Sequence, residues 1–489
     1  MEQVRVRFAP SPTGPLHIGG ARSALFNYLL AKKLDGKLVI RIEDTDLERS
    51  SRESEENILA SLKWLGIDWD EGIEKGGADG PYRQTERLDI YRSFIDKLLE
   101  SKKAYYCFCS EEELEEERQM LMAKGELPRY LGKCRFQKEE ERTACLAEGK
   151  QPVVRFRVPE GKAIIIDDLV RGKVTFDSDG IGDFVIVKSD GIPTYNFAVV
   201  IDDVTMKISH VIRGEEHLSN TPRQIVLYEA LGLPIPKFAH ISLILGKDRS
   251  KMSKRHGTVS VVSYQEKGYL PEALVNFLAL LGWSPEGEEE IFTMDELIEQ
   301  FSLDRVAKNP AVFDIEKLNW VNGIYLRKSP REEIVRKAIP FLMAGGYLSG
   351  MPEEKELVRL SQIVGAVQER ISYLEEMAAK VRFFFVDEVE FEGEEAKAVL
   401  REEQVPQVLA LLQQKLIQAG ELNADKVKVI LKELTKELGL GGRKVFMPIR
   451  VALTGQMHGP ELFDIIPILG VDGVAKRIKS SVSQTLGTK

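Results

Sequence analysis

Four cysteines in 489 residues are too few for a disulfide framework, which excludes the stapled secreted scaffolds and points to a reducing compartment. No apolar run reaches the length that a membrane-spanning helix needs. The N-terminus enters a strand at once, without a charged-then-apolar leader, so a cytoplasmic location and no membrane partner are expected. An excess of positive charge is missing as well. The formal net charge is −9, so no global field draws a polyanion, and any nucleic-acid contact must rest on local basic patches. Internal repeats and low-complexity segments are absent; Glu286-Gly287-Glu288-Glu289-Glu290 is a short acidic loop. What is left is an ordinary globular composition, 30% charged and 43% hydrophobic, long enough for several domains with sizeable cores.

The densest local signal is Arg7-Phe8-Ala9-Pro10-Ser11-Pro12-Thr13-Gly14-Pro15-Leu16-His17-Ile18-Gly19-Gly20. Val4, Val6 and Phe8 alternate with Arg5 and Arg7 as in a half-buried strand. The prolines and Gly14 then forbid a regular element until about His17. Ala21, Ala24, Leu25, Tyr28 and Leu29 recur at helical spacing and predict a helix to about Lys33. His17 stands at its N-terminus, where unpaired N–H groups and the positive end of the macrodipole hold an anion and the imidazole adds a donor. Gly19 and Gly20 let a nucleotide approach the backbone closely. A second stretch, Gly246-Lys247-Asp248-Arg249 followed by Lys251-Met252-Ser253-Lys254-Arg255, crowds five cations into one loop, either a solvated basic turn or a grip on phosphates.

Residues 38–42 predict a second strand ending on Glu43-Asp44-Thr45-Asp46, and 209–213 another ending on Gly214-Glu215-Glu216-His217. Ligands of doubly wound sheets lie at the carboxyl ends of strands, where Arg7, Glu43 and Arg213 all stand. Helices are predicted from about 47 to 65 and from about 85 to 101. Next come Cys107-Phe108-Cys109, a Glu-rich helix to about Lys124, then Tyr130 and Cys134. Two thiolates one residue apart and a third across a helical hairpin either hold one Zn²⁺ or pack as buried free thiols; Cys145 reads as a lone thiol on a helix. Short strands at 153–158, 163–166 and 173–176 between Gly and Asp turns predict an inserted module. The sheet is expected to resume at 184–187 and continue through 190–197. Beyond the basic loop the sequence turns helical. Leu360, Val364, Val367, Ile371 and Leu374 form one helical seam, and Val427, Ile430, Leu431, Leu434 and Leu438 another. Such periodicity alone also suits an oligomerisation bundle.

Pro15-Leu16-His17-Ile18-Gly19-Gly20 and Lys251-Met252-Ser253-Lys254-Arg255 together resemble the paired signatures of the class I aminoacyl-tRNA synthetases. The 7–14 run, Arg41-Ile42-Glu43-Asp44-Thr45-Asp46 and Arg213-Gly214-Glu215-Glu216-His217 narrow the resemblance to the glutamyl and glutaminyl branch, and the bacterial-type glutamyl-tRNA synthetases are similar end to end. The family-wide first signature usually ends in a second histidine, where this chain has Gly20. The resemblance implies an α/β, Rossmann-like doubly wound parallel-sheet catalytic domain in two halves, 1–103 and 188–245. It implies an inserted α+β acceptor-binding module at 104–187 and a stem-contact region at 246–322 with the basic loop. An all-helical anticodon-binding region would follow at 323–385 and 386–489. The implied reaction is activation of L-glutamate by ATP with Mg²⁺ to glutamyl-AMP, then transfer to the 3′ end of tRNA(Glu), by a monomer.

By the same resemblance His17, Lys251 and Lys254 are catalytic, and Gly19, Glu216, His217 and Ser253 join them around ATP. Arg7, Ser11, Glu43, Tyr195 and Arg213 bind glutamate. Cys107, Cys109, Tyr130 and Cys134 are the zinc set, with Phe136 where some relatives carry histidine. Two alternatives stand beside this reading. One is a glutaminyl-tRNA synthetase-like enzyme, although that family ends in β-barrels and the tail here is helical. The other is a catalytically inactive tRNA-binding paralogue, against which the intact His17, Lys254 and paired arginines count.

Overall fold

The computed structural model of the chain describes residues 3–126, 128–253, 255 and 257–486. Its backbone gathers into two compact units, 1–264 with 274–314 and 265–273 with 315–489. In the first unit, β1 (Arg5–Phe8), α1 (Ile18–Lys33), β2 (Lys37–Ile40), α2 (Arg52–Trp64), β3 (Glu71–Gly72) and α3 (Leu88–Glu100) come first. They are followed by β4 (Ala104–Cys107), α4 (Glu111–Ala123), α5 (Glu139–Ala147), β5 (Val153–Phe156), β6 (Ala163–Asp168), β7 (Gly172–Asp177) and β8 (Phe184–Val187). Then come α6 (Tyr195–Thr205), β9 (His210–Gly214), α7 (Thr221–Leu231) and β10 (Lys237–Ile241). Five parallel strands form the central sheet in the order β10-β9-β1-β2-β3. Parallel sheets are covered on both faces, and that decides the fate of β1.

The alternation in β1 predicts a half-buried strand, yet all four of its residues are buried. Val6 and Phe8 share one face, and Arg5 and Arg7 share the other, because side chains alternate across a strand. The arginine face is closed by carboxylates instead of water. Arg5 donates to both oxygens of Glu71 at 2.9 and 3.0 Å and to Asp79 at 3.1 Å, and Arg7 Nε donates to Asp203 Oδ1 of α6 at 3.2 Å. The hydrogen bonds from Arg5, with a further one from Lys37, hold Glu71 down at about 2. Its unfolded value is about 4.3, so this stabilisation is complete above about pH 5 and is lost as pH falls toward 2. The urea midpoint of the parent should therefore fall more steeply between pH 5 and pH 2.5 than that of Glu71→Gln. Parallel curves would show that the pair contributes nothing to acid stability.

Three expectations for the first unit shift. The second helix begins at Arg52, capped by the Ser51 side chain, because 47–49 form a turn. The stretch 184–187 does not resume the central sheet: β8 pairs antiparallel with β5, which pairs with β4, in a separate three-stranded sheet. Nor does the strand continue, since Tyr195 opens α6. Between Cys109 and Cys134 lies one helix, α4, with a Ser110–Glu113 capping box, rather than a helical hairpin. The β6–β7 hairpin pairs with neither sheet, but its turn reaches β10, with Leu169 N–H donating to Phe238 O at 2.8 Å.

The second unit is helical. Val405–Ala419, Ala424–Leu438, Gly442–Thr454 and Leu462–Leu486, the last kinked at Gly470, share one core around Val408, Leu412, Leu434, Ile449 and Ile466. The seam expected to continue to Leu374 stops being helix at Val367; a 3₁₀ turn and a bend follow, and Ile371 and Leu374 are buried beyond it. Segment 265–273 is held by this unit: Tyr269 OH donates to Asn319 at 2.6 Å, Leu270 N–H to Asn322 Oδ1 at 2.8 Å and Leu374 N–H to Gly268 O at 3.2 Å. Gly268 has φ +77°, and a Cβ there would lie 2.5 Å from that of Leu374. Among the described residues no helix is long and apolar enough to cross a membrane.

Candidate active site

A cavity of about 1090 Å³ opens at the carboxyl ends of β1, β2 and β9, and it gathers Arg7, Ser11, His17, Gly19, Glu43, Tyr195, Arg213, Glu216 and His217 from separate parts of the chain. A second cavity of about 480 Å³ shares His17, Gly19 and Glu216 and adds Lys251 and Ser253. Of the residues singled out for ATP or glutamate, only Lys254 lies outside the described residues.

His17 caps α1, its Nδ1 accepting from Gly19 N–H at 3.1 Å. That bond leaves the proton on Nε2. Burial, with Lys251 adding to it, pushes the imidazole below its usual pKa, so His17 is a neutral Nε2–H donor at pH 7. The backbone donors expected at this helix start are partly spent. Ile18 N–H goes to Val259 O at 2.9 Å and Gly19 N–H goes to the cap, while Ala21 begins the helical ladder. Gly20 N–H is left as the first-turn donor without an acceptor among the described residues. The lost Cβ of Gly20 would meet Leu16 at 3.2 Å and the Phe8 ring at 3.6 Å, so smallness there also serves packing. Ile18 N–H to Val259 O and Val261 N–H to Leu16 O, both 2.9 Å, tie the far end of the basic loop to the helix start. At its near end Lys251 bridges to Leu245. Among the described residues of the loop, Lys247 pairs with Asp314 at 3.4 Å and Arg255 with Asp248 at 3.5 Å.

The other end of the cavity is built on buried charge. Arg41, fully buried, donates to Asp203 at 2.8 Å and to Glu43 at 3.1 Å and lies 3.5 Å from Asp202. Asp202 also receives Arg87 Nε at 2.6 Å, Gln84 Nε2 at 2.8 Å and Tyr91 OH at 2.9 Å. Burial pushes Glu43 above the usual carboxylate range against the pull of Arg41 and Arg7; an arriving ammonium favours its charged form. Asp203 is held below that range because Arg7 and Arg41 outweigh its burial.

Arg213 differs from these arginines. Although buried, its partners are all neutral among the described residues: His240 Nε2 at 3.2 Å, Tyr195 OH at 3.3 Å, Thr221 Oγ1 at 2.8 Å and Gln224 Oε1 at 2.8 Å. Arg7, Arg41 and Arg87 each touch a buried carboxylate directly, Asp203, Glu43 or Asp202, whereas the buried carboxylate nearest to Arg213, Asp168, reaches it only through His240. Arg213 thus lacks a direct anionic partner among the described residues, a place that a carboxylate can fill. Tyr195 OH lies 3.2 Å from His217 Nδ1, and burial with the nearby Arg213 pushes His217 down to about 4, which keeps it neutral.

At the end of β4 and beyond it, the sulfurs of Cys107, Cys109 and Cys134 lie within 4.8 Å of one another. Tyr130 OH is 3.6 Å from Cys107 and 3.5 Å from Cys109, and Cys109 is 3.6 Å from Cys134. A tetrahedral site with Zn–S bonds of ~2.3 Å needs sulfurs roughly 3.8 Å apart, so the set fits the ion. A hydrogen bond from Cys134, with Arg155 and Tyr130 contributing, lowers the Cys107 thiol, and the same bond raises Cys134. Phe136 is 78% exposed and takes no part. Cys145 stands apart on α5.

Sequence reasoning missed Arg41, Asp202, Asp203, Thr221, Gln224, His240 and Asp168. The readable hint was a charge inside an apolar run, as in Val39-Ile40-Arg41-Ile42 and Val200-Ile201-Asp202-Asp203.

Residues 3–320 match the family model of class I tRNA synthetase (E and Q) catalytic domains, and 333–482 match an anticodon binding domain. The chain is 65% identical to a glutamate–tRNA ligase of Carboxydothermus hydrogenoformans, covering 97% of this chain and 99% of that one, and 64% identical to one of Heliobacterium modesticaldum, covering 98% and 97%. A crystal structure of a glutamate tRNA ligase from Elizabethkingia meningosepticum in complex with its amino acid superposes with a TM-score of 0.90 at 37% identity, over 99% of this chain and 100% of that chain. With its parallel sheet, paired signature loops and helical tail, the chain belongs to the glutamate–tRNA ligases of the class I aminoacyl-tRNA synthetases.

Proposed function

We propose that the two joined cavities hold ATP and L-glutamate side by side, with Arg213 and Arg7 on the side-chain carboxylate. The observation that carries this reading is the buried Arg213 guanidinium, whose direct hydrogen-bond partners among the described residues are all neutral. Glu43 takes the α-ammonium, while Ser11 and Tyr195 supply neutral hydrogen bonds. The α-carboxylate then attacks the α-phosphorus of ATP, pyrophosphate leaves, and a hydroxyl of the tRNA's terminal ribose takes the glutamyl group with release of AMP. Both steps are served by positioning and by donors aimed at developing negative charge. His17 Nε2–H and Gly20 N–H serve the phosphate oxygens, Gly19 lets them close on the backbone, and Glu216 and His217 flank the nucleotide. Lys251 and Ser253 border the second cavity, where pyrophosphate departs; Lys254 is given the same task from its sequence position. Mg²⁺ accompanies the ATP.

Module 104–187 grips the acceptor end of tRNA(Glu), 246–322 contacts the stem, and the helical parts 323–385 and 386–489 read the anticodon, in a cytoplasmic monomer. The deciding experiment is aminoacylation of total tRNA with labelled glutamate and glutamine. Glutamine points an NH₂ at cationic donors, and sites built on polar pairing reject such analogues strongly; a preference for glutamate of at least roughly 100-fold in kcat/KM is expected. Equal use of both amino acids would overturn the assignment.

Cys107, Cys109, Cys134 and Tyr130 would hold one Zn²⁺ as a structural staple of the module, far in role from the reacting atoms. Metal analysis of protein purified without chelator should give about one Zn²⁺ per chain, unchanged in Cys145→Ser and lost in Cys109→Ser. A content near zero would leave three buried thiols.

A further inference from the structure

Arg213 is aimed by a side chain that is itself aimed from the inserted module. His240, on β10, is fully buried and stacks on Phe238 with 10° between the rings. Its Nδ1 lies 2.6 Å from Asp168 Oδ2 and its Nε2 lies 3.2 Å from Arg213 Nε. A carboxylate only accepts and a guanidinium only donates, so the proton must be on Nδ1 and the lone pair on Nε2. Asp168, the last residue of β6, is fixed in turn: Oδ1 accepts from Val170 N–H at 3.0 Å and Arg171 N–H at 2.8 Å, and Oδ2 accepts from His240 N–H at 3.1 Å. Arg171 in the same turn pairs with Glu215, whose other oxygen accepts from Leu243 N–H at 2.7 Å. The hairpin is thereby clamped beside the site.

We propose that Asp168 is a positioning residue for glutamate recognition: it locks His240 as the Nδ1–H tautomer, which makes Nε2 the acceptor that orients the Arg213 fork. The proposal rests on the reading of Arg213 as the partner of the side-chain carboxylate. It makes the inserted module a contributor to the amino-acid site through a chain of two hydrogen bonds. Asp168→Asn tests it with almost no change of shape. The turn's two backbone N–H groups keep the amide oxygen, so the amide NH₂ takes the Oδ2 place beside the backbone N–H and Nδ1 of His240. It donates to Nδ1 and forces the proton to Nε2, which then turns to Thr221 Oγ1, 3.0 Å away, and no longer accepts from Arg213.

Three readings are made on the full-length enzyme. Long-range ¹H–¹⁵N correlation of ¹⁵N-histidine protein, with His240 identified by its loss in His240→Phe, should show Nδ1–H in the parent and Nε2–H in Asp168→Asn. The KM for glutamate should rise roughly 10- to 100-fold, with kcat and the KM for ATP within about threefold. In the His240→Phe background Asp168→Asn should add less than about threefold to the KM for glutamate, since the relay is already cut. An Nε2–H tautomer in the parent, no tautomer change in the variant, or a change without loss of glutamate affinity would each overturn the proposal. So would an equal loss in both backgrounds, the mark of a merely structural role. Should Asp168→Asn fail to fold, the parent's tautomer and a comparison of His240→Gln, which keeps an acceptor for Arg213, with His240→Leu decide it: glutamate KM should stay within about threefold in the first and rise at least tenfold in the second. If Arg213→Ala leaves glutamate binding untouched, the reading of Arg213 itself has failed, which the tautomer measurement, made without substrate, tells apart from failure of the relay.

Discussion

Arg213→Ala is expected to lower kcat/KM for glutamate by roughly 10²- to 10⁴-fold while changing glutamine use little, so that the ratio between them collapses. Two losses combine. A charge-assisted fork to a desolvated carboxylate disappears, worth about 2–5 kcal/mol when one buried partner is truncated. The neutral groups that held the fork, Tyr195 OH, Thr221, Gln224 and His240, are also left without their donor. Arg213→Lys should recover only part of the loss, because an ammonium keeps the charge but cannot reach those acceptors and a carboxylate together. Steady-state kinetics with each amino acid in the presence of tRNA decide the matter. A variant that retains the parent's preference would transfer the discrimination to Arg7.

The second large effect concerns stability. Asp202 is fully buried and receives Arg87, Gln84 and Tyr91 with Arg41 alongside. Asp202→Ala orphans these donors and leaves guanidinium charge uncompensated, which costs about 3–5 kcal/mol when one member of a buried pair is removed. A Tm lower by roughly 6–20 °C follows from the usual 2–4 °C per kcal/mol. Asp202→Asn keeps an acceptor and should lose less. Calorimetry that found both variants melting with the parent would show that the charges are held by something other than this carboxylate.

How much of this was legible in the sequence depended on whether a residue's partner was local. The helix after His17 and the strand ends at Arg7, Glu43 and Arg213 follow from short-range pattern, and the structure puts them round one cavity. The run 184–187 is as apolar as a central strand, and nothing within it says which sheet it joins; its partner β5 lies some thirty residues upstream. Tyr195 and Phe197 are residue types that strands favour, but tertiary packing makes them the first turn of α6, where Asp202 and Asp203 then meet Arg7 of β1, Arg41 just past β2 and Arg87 just before α3. The spent N–H of Ile18 at the start of α1 was unreadable for the same reason, because its acceptor, Val259, is brought back from beyond the basic loop.

The excursion of 265–273 into the helical unit bears on the order in which the chain acquires structure as it is made. Everything the first unit needs has been synthesised by residue 314, so it can consolidate early. Gly268, Tyr269 and Leu270 must wait for Asn319, Asn322 and Leu374. At about 5–20 residues per second, the hundred-odd residues from 273 to 374 take roughly 5–20 s to appear. For that interval a nascent chain carries a formed sheet from which one short segment hangs unmatched, a target for proteases or chaperones that the finished protein no longer presents.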